Sequence, residues 1–350
     1  MAVLTQLRND AAYRPCDWDL KADAAGRAYW LEHFREHVDL LLPLIAAEHP
    51  RASVAERAAF RAEYLAIFDH VAAHPDAYPR IDILLFDELR TGLLARYGYR
   101  DPFRGVKARE NEAALALLPG VLAEIDAAAP AAQRELLAAG LMAGNIFDLG
   151  SRATIERYRD GRTAFATTRA TQPRRPWAVD DVDAWWRRQD AGPTYAHALF
   201  FVDNAGSDIV LGGLPFVRWL LAAGSAVTLA ANSGPALNDV TAEELGPLLE
   251  RAAALDATLA EGWRSGRLRV AATGNAAPLI DLTRLAAEFV AAARTADLLV
   301  LHGMGRAVES NWCAEFDCDV LRTAVLKDAR VAERLGARLF DCVWRYTPRS

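Results

Sequence analysis

Cysteine is scarce in this chain, with four residues among 350. Cys16, Cys313, Cys318 and Cys342 are too few for a dense disulfide framework, and a chain of this length does not need one to fold. Cys313 and Cys318 have no second pair of matching spacing, which argues against a zinc site. We therefore expect reduced thiols and a cytoplasmic protein.

Two further absences restrict the partners. The N-terminus lacks the apolar core of a signal peptide, and glycine, proline and arginine interrupt the longest apolar stretch, residues 210–231, so we expect no membrane span. Lys and Arg total 40 against 46 Asp and Glu, a net charge of −6, which gives no electrostatic footprint for nucleic acid. These features favour a small-molecule partner and leave the oligomeric state open.

Common nucleotide and nucleophile motifs are also missing. No Gly-x-Gly-x-x-Gly follows the first predicted strand, and the chain has no Walker A sequence and no Gly-x-Ser-x-Gly elbow. A dinucleotide enzyme, a P-loop enzyme and an ordinary α/β-hydrolase are therefore disfavoured. The composition, 52% apolar and 25% charged, is that of a globular protein.

The hydrophobic pattern changes near residue 190. Before it, apolar residues recur at helical spacing, and after it short runs rich in Val, Leu and Phe alternate with helical segments. The pattern predicts an all-helical N-terminal domain with a linker over residues 1–190. It predicts a Rossmann-like α/β domain, a parallel sheet with helices on both faces, over residues 191–350. The predicted strands are 196–203, 226–231, 268–273, 298–301, 323–326 and 337–344.

Oxygen-bearing side chains follow two of these strands. Asp203 and Asn204 end the first strand, and Asp239 lies in the loop after the second. Open α/β sheets bind ligands beyond the carboxyl ends of their strands, so we expect these side chains to converge. Carboxylate and amide oxygens suit Mg²⁺ or Mn²⁺. The alternative is that they are helix N-caps or turn residues, which such loops often use.

Cations follow two other predicted strands. Arg306 comes after residues 298–301 and Lys327 after residues 323–326, and both suit phosphate oxygens. A hard metal, two cations and the N-termini of helices together provide what phosphoryl transfer requires. The residues alone therefore favour phosphoryl chemistry.

Several segments resemble the metal-dependent damage-control phosphatases. Within that family they are most similar to the subfamily that includes the carboxyl-terminal phosphatase domain of pantothenate kinase 4 and its stand-alone plant relatives. Because no kinase domain is seen here, the chain looks like a stand-alone form. The segments are AGNIFD at 143–148, DNAGSD at 203–208, LGGLPFVR at 211–218, NSGPALNDVT at 232–241, GMGRAV at 303–308 and AVLK at 324–327.

The resemblance implies a phosphatase that uses Mn²⁺, Co²⁺, Ni²⁺ or Mg²⁺, with Asp203, Asn204 and Asp239 as metal ligands. One position departs from the family pattern. The family signature Glu-Gly-Met-Gly-Arg begins with His302 in this chain. A carboxylate is replaced by a group that is neutral or cationic near pH 7, which bears on substrate preference and pH optimum.

The subfamily resemblance also implies a substrate, 4′-phosphopantetheine and especially its oxidised or damaged forms. The residues expected to bind its phosphate or the rest of the substrate are Asn145, Asn232, His302, Gly303, Met304, Gly305, Arg306 and Lys327, with Asp148 joining Asn145 from the helical domain. We hypothesise attack by metal-activated water. An aspartyl-phosphate at Asp203 is the alternative, although a carboxylate occupied by metal is a poorer nucleophile.

Three other functions remain open at this stage. The first is a metal-dependent phosphatase for sugar phosphates or other phosphometabolites. The second is a non-catalytic metabolite-binding protein, which would not need to keep the metal ligands. The third is an S-adenosylmethionine-dependent methyltransferase, which shares the layout of the sheet but would need a glycine-rich loop after the first strand.

Overall fold

A seven-stranded sheet organises the chain in a computed structural model that describes residues 1–8, 11–146 and 165–349. The strand order is β1-β7-β6-β5-β2-β3-β4. The strands are β1 (Val179–Asp180), β2 (His197–Phe201), β3 (Ala226–Ala231), β4 (Leu268–Ala272), β5 (Leu298–His302), β6 (Asp319–Val325) and β7 (Cys342–Thr347).

The central strands are buried on both faces. All residues of β5 and β6 are buried, as are four of the five residues of β2. β2 and β5 are nearly continuous apolar runs, which are typical of parallel strands that helices cover on both sides. β2 lies between β3 and β5, so the chain order reverses beside β2. Ligands of open α/β sheets bind at such a reversal, beyond the carboxyl ends of the strands.

Helices precede the sheet and separate its strands. Two begin with a capping box, α2 at Ser53 with Glu56 and α9 at Thr241 with Glu244. The helices are α1 (Ala24–Glu48), α2 (Val54–Ala73), α3 (Ile83–Arg96), α4 (Arg104–Ala127), α5 (Pro130–Asn145), α6 (Phe165–Thr171), α7 (Val182–Ala191), α8 (Leu214–Ala222), α9 (Ala242–Ala253), α10 (Ala257–Ser265), α11 (Ala287–Ala293) and α12 (Ala329–Arg334).

Two apolar cores lie on opposite faces of the sheet. Alternate residues of β2 point to opposite sides, so Leu199 and Phe201 belong to one core and Ala198 and Phe200 to the other. Helices α1, α2 and α3 contribute to the first core, and α4 and α5 contribute to the second. Each core thus combines residues from before and after residue 190, while a domain boundary there stays a prediction.

The predicted α/β class with helices on both faces is confirmed, but the sheet is mixed. β7 runs antiparallel to β6. The run predicted as strand 337–344 begins as a turn, and the strand is Cys342–Thr347. The two-residue strand Val179–Asp180, which pairs with β7, was not predicted because its sequence is too short to show alternation. None of the helices in the described part of the chain is both long and apolar enough to cross a bilayer.

Candidate active site

Two loops at the carboxyl ends of β2 and β3 bring Asp203 and Asp239 together. The main-chain N–H of Val240 donates to the carbonyl of Asp203 at 3.0 Å, and that of Ala205 donates to the carbonyl of Asn238 at 2.9 Å. Asn204 and Asp239 pair as an isolated antiparallel bridge. The distance between the two loops is therefore set by peptide groups as well as by side chains.

Arg306 lies between the two carboxylates. Its Nη1 donates to Asp203 Oδ1, and its Nη2 donates to Asp239 Oδ2 at 2.7 Å. Burial alone would lower the pKa of Arg306, but the neighbouring carboxylates of Asp239 and Asp203 raise it above its ordinary value. Arg306 is therefore a permanent buried cation that takes one oxygen from each carboxylate.

Glycine is required at the turn that presents Arg306. Gly303 has a φ of 95°, and a Cβ atom added there would collide with the Asp203 carboxylate. The left-handed backbone favours glycine, and the approach of the carboxylate excludes a side chain. Residues Met304–Glu309 then form a π-helical turn after β5.

Asn145 and Lys327 approach Asp203 from the opposite side. Asn145 Nδ2 donates to Asp203 Oδ2 at 2.9 Å, and its Oδ1 accepts from the main-chain N–H of Val325 at 3.1 Å. Lys327 Nζ donates to the carbonyl of Asn145 at 2.9 Å and lies 3.9 Å from Asp203 Oδ2. Helix α5 thus contributes directly to the site. The predicted partner of Asn145, Asp148, lies outside the described residues.

Asn232 holds Asp239 in place. Its Nδ2 donates to Asp239 Oδ2 at 2.9 Å and to the carbonyl of Ala277 at 3.1 Å. Its Oδ1 accepts from Asn275 Nδ2 at 3.0 Å. These contacts are with the protein, and the predicted contact of Asn232 with substrate stays a prediction.

Asp208 is a central residue of the site that the sequence reasoning did not select. Its Oδ2 accepts from Asn145 Nδ2 at 2.9 Å, from Asn204 Nδ2 at 3.0 Å and from the main-chain N–H of Asn204 at 3.1 Å. Asp208 ends the segment DNAGSD, and its place in the first turn after β2, close to Asp203, was the signal that would have found it.

His302 completes this buried network. Its Nε2 lies 2.7 Å from Asp208 Oδ1 and its Nδ1 lies 2.7 Å from Thr323 Oγ1. Burial would raise the pKa of Asp208, but His302, Lys327 and Asn145 hold it below its usual value. Asp208 therefore stays ionised, and His302 bears on the site through Asp208.

The donor set of the site fits a divalent cation. Both hydrogen atoms of the Asn204 amide are directed at carboxylates, those of Asp203 and Asp208, so its Oδ1 is the atom left to bind a cation. Asp203 and Asp239 already converge on one cationic group. No cluster of three or more His, Cys, Asp or Glu side chains arranged as a metal site occurs within the described ranges, since two carboxylates and an amide form this set.

A cavity of about 70 Å³ lies in front of the two carboxylates. Of the predicted substrate residues, Met304 and Gly305 line it, together with Asp203 and Asp239. Its opposite wall comes from the N-terminal helices, with side chains that the sequence reasoning left unassigned because they lie far from the strand ends in the chain. These wall residues are Trp30, His33 and Phe34 of α1 and Ile83, Asp87 and Arg90 of α3.

Comparison with known proteins identifies a family and two of its members. The model of the damage-control phosphatase ARMT1-like domain matches residues 45–343. A damage-control phosphatase of Arabidopsis thaliana is 40% identical over 82% of this chain and 78% of its own length. A 4′-phosphopantetheine phosphatase of Mus musculus is 34% identical over 98% of this chain and 48% of its own length.

Other matches extend the comparison to longer proteins and to a solved fold. A pantothenate kinase 2 of Arabidopsis thaliana is 38% identical over the whole of this chain, which spans 42% of the kinase. The chain thus spans about half the length of the longer relatives. The crystal structure of a DUF89 family protein from Pyrococcus horikoshii has the same fold, with a TM-score of 0.61 and 17% identity over 91% of this chain and 97% of that chain.

Proposed function

Because the chain belongs to the damage-control phosphatase family with an ARMT1-like domain, we propose that it hydrolyses 4′-phosphopantetheine and its oxidised or damaged forms. One observation carries this proposal. Two buried carboxylates, Asp203 and Asp239, converge with Asn204, Arg306 and Lys327 at the reversal point of the sheet, beside a cavity. The name of the mouse relative supports the substrate.

The reaction uses a divalent cation in this proposal, Mn²⁺, Co²⁺, Ni²⁺ or Mg²⁺, held by Asp203, Asn204 and Asp239. When bound, such an ion stabilises charge that develops on a phosphate oxygen and lowers the pKa of water. Asn204 contributes through Oδ1, because its amide hydrogens are directed at Asp203 and Asp208. The hydrogen bonds within the protein set this orientation of the Asn204 amide.

Arg306 and Lys327 bind the remaining phosphate oxygens. Both side chains are buried, where a charge-assisted hydrogen bond is stronger than in water. The guanidinium of Arg306 has five N–H donors, and because two of them meet the carboxylates of Asp203 and Asp239, others are left for phosphate oxygens. These cations favour the transition state because they are fixed before charge develops on the phosphate.

Water is the favoured nucleophile, rather than Asp203. Asp203 Oδ1 accepts from Arg306, and its Oδ2 accepts from Asn145 and Asn204. A carboxylate that accepts these hydrogen bonds and also holds the cation is a poorer nucleophile toward phosphorus. Acid quenching of a reaction on labelled substrate should therefore recover no phosphorylated protein, whereas label on Asp203 would reverse the assignment.

Release of inorganic phosphate tests the proposed function directly. The purified chain is incubated with 4′-phosphopantetheine, its sulfonate and a panel of sugar phosphates, with chelator or with added Mn²⁺ or Co²⁺. We expect metal-stimulated release, fastest from the pantetheine esters. Faster hydrolysis of a sugar phosphate would transfer the proposal to that class, and no release from any ester would reject it.

Asp239→Asn provides the matched variant for this assay. It keeps the shape of the side chain but removes a charge that faces Arg306 and the cation site. We expect metal-stimulated turnover to fall at least about 100-fold, in the range of losses for removing a preorganised electrostatic group. Wild-type turnover at saturating metal would remove Asp239 from the metal site.

The cellular setting stays part of the proposal. All four cysteines are unpaired, and Cys16, Cys318 and Cys342 are buried. Reduced thiols support a cytoplasmic compartment, where coenzyme A precursors would be the accessible esters. The expected independence from nucleic acid remains a prediction.

A further inference from the structure

The cavity wall opposite the carboxylates contains donors that a ligand can use. Arg90 is 4% exposed and lines the cavity, and its guanidinium carries five N–H donors. Asp87 Oδ1 is the one hydrogen-bond acceptor that the described residues give it. The Arg90 guanidinium also lies 5.1 Å from the centroid of the Phe34 ring. Arg90 therefore brings more N–H donors to the cavity wall than Asp87 accepts.

Trp30 supplies a further donor on the same wall. It is 4% exposed and lines the cavity, and its indole Nε1 is buried without an acceptor among the described residues. Buried N–H groups are rarely left without a partner, so this indole N–H requires an acceptor. A bound ligand that places one acceptor at Trp30 and another at Arg90 provides it.

The charges around the cavity define the ligand further. Arg90 is already paired with Asp87, and Glu309 and Asp328 also line the cavity. Away from the two cations of the phosphate site the wall therefore has an excess of negative charge, which disfavours a second anionic group. Carbonyl oxygens accept hydrogen bonds without adding charge, so they match the N–H donors of Arg90 and Trp30.

The cavity is also small. Its volume of about 70 Å³ is far below the several hundred Å³ of pockets that enclose a drug-sized ligand. A space of this size holds only the part of the substrate next to the phosphate, and a longer ligand continues beyond it. Trp30 and Phe34 give this space an aromatic side.

We infer that Arg90 and Trp30 form a subsite for the non-reacting part of the substrate, a neutral chain that bears carbonyl acceptors. This inference rests on the proposed phosphatase function, because the same cavity borders the two carboxylates. It assigns substrate selection to the helices α1 and α3. Neither residue takes part in the chemical step.

Two conservative variants test the subsite. Arg90→Lys keeps the positive charge beside Asp87 but loses the planar donors, and Trp30→Phe removes the indole N–H. Arg96→Lys is the matched control, since Arg96 lies on the same helix, is exposed and pairs with Glu63. The kcat/KM is measured for 4′-phosphopantetheine and for ethyl phosphate, an ester with no carbonyl, under the same metal concentration.

We expect each variant to lower kcat/KM for 4′-phosphopantetheine by about 3- to 30-fold, the size of one or two lost hydrogen bonds. Ethyl phosphate should be hydrolysed within about twofold of wild type, because it makes neither contact. Equal losses for both esters would assign the effect to the phosphate site or to the fold. No loss for either would also overturn the inference.

A binding titration separates this inference from the proposed function. Pantetheine, the neutral alcohol without phosphate, is titrated into wild type, the two variants and Arg96→Lys by calorimetry. Weaker binding in Arg90→Lys and Trp30→Phe alone supports the subsite even if no ester is hydrolysed. Failure of the wild-type chain to bind pantetheine, with no hydrolysis of 4′-phosphopantetheine, rejects both proposals. Binding that is equal in all four proteins rejects the subsite only.

Discussion

Gly303 illustrates how a single residue constrains the site. It combines a left-handed backbone with the closest approach of the Asp203 carboxylate. Gly303→Ala should displace that carboxylate, and a shift of about 1 Å in a catalytic group can cost about 100-fold in rate. We expect kcat/KM to fall by that order in a metal-saturated phosphatase assay.

Gly336→Ala is the control for this change. Gly336 has a φ of 65°, but an added Cβ atom would meet nothing within 4 Å. Both variants share a backbone cost of about 1–2 kcal/mol in the free energy of unfolding. Only the first should lose activity, and equal activities would show that the contact with Asp203 is unimportant.

Asp208 affects the site through the residues next to it. Its carboxylate accepts hydrogen bonds from Asn204 and Asn145, and it is not one of the proposed cation ligands. Asp208→Ala should free the Asn204 amide to rotate and weaken Mn²⁺ binding about 10- to 100-fold, as loss of an outer-shell partner typically does. Calorimetric titration with Mn²⁺ measures this change.

Asp297→Ala offers a comparison at the other end of β2. Asp297 also accepts main-chain N–H groups, those of Ala196 and His197. Its replacement should lower stability without changing the affinity for Mn²⁺. Similar losses of affinity in the two variants would contradict the role of Asp208.

Some residues of the site could be predicted from the sequence, and others could not. Asp203, Asp239 and Arg306 follow strands and carry charge, so position and chemistry together select them. Asp208 also carries charge shortly after β2, so the same reasoning could have selected it. The wall residue Arg90 escapes this reasoning, because its importance comes from contacts between distant parts of the chain. A sequence pattern records local periodicity and does not record such contacts.

At the scale of elements, one carboxylate links the start of β6 to β7 and to the residues before β2. Asp319, at the start of β6, accepts from the hydroxyls of Tyr195 and Tyr346 and from the main-chain N–H of Arg349. Burial would raise the pKa of Asp319, but these hydrogen bonds and the charge of Arg188 lower it below its usual value. Its ionised form therefore stabilises the folded state.

This linkage has a defined pH dependence. A carboxyl whose pKa is lowered on folding adds stability above its unfolded pKa of about 4, and that stability is lost as pH falls through the folded value. Asp319→Asn should cost about 1–2 kcal/mol at pH 7, the size of one or two hydrogen bonds. The difference from wild type should shrink in urea unfolding below about pH 4.

Asp69→Asn controls for a change of charge alone. Asp69 pairs with Arg35 at the surface, with 65% of its side chain exposed. Exposed ion pairs contribute little, so we expect a change of less than about 0.5 kcal/mol at either pH. A difference for Asp319→Asn that is the same at all pH values would contradict the assignment.

The bounds of a strand were predictable where both of its faces are buried. The apolar run of β3 gives the predicted bounds, 226–231, because both of its faces are covered. The helical pattern of residues 241–261 does not show that two helices lie there, since α9 ends at Ala253 and Asp256 caps α10. The antiparallel direction of β7 depends on the return of the chain after α12, which no periodicity encodes.

At the scale of the whole molecule, Arg306 links the site to global stability. It neutralises two buried carboxylates, and removing one partner of a buried ion pair costs about 3–5 kcal/mol. In chelator, Arg306→Met should therefore unfold at a markedly lower temperature than wild type. A cation that binds only the folded state stabilises it. Added Mn²⁺ should raise the Tm of the variant more than that of wild type, because in the variant the cation replaces the positive charge that Arg306 supplies to the two carboxylates.

Thermal unfolding with and without Mn²⁺ measures this difference. Lys327→Met is the comparison, because Lys327 contacts one of the two carboxylates and at a longer distance. We expect an intermediate metal-dependent shift for it. Identical shifts in wild type and Arg306→Met would show that the guanidinium and the cation do not share Asp203 and Asp239.

The main-chain bonds between the loops after β2 and β3 have a practical consequence for engineering. Peptide groups join Asp203 to Val240 and Ala205 to Asn238 whatever side chains those loops carry. The side chains proposed as cation ligands can therefore be exchanged, for example a nitrogen for an oxygen at position 239, while the spacing between the loops is retained. A designer who wants a softer metal or another leaving group can begin with a framework whose dimensions are already fixed.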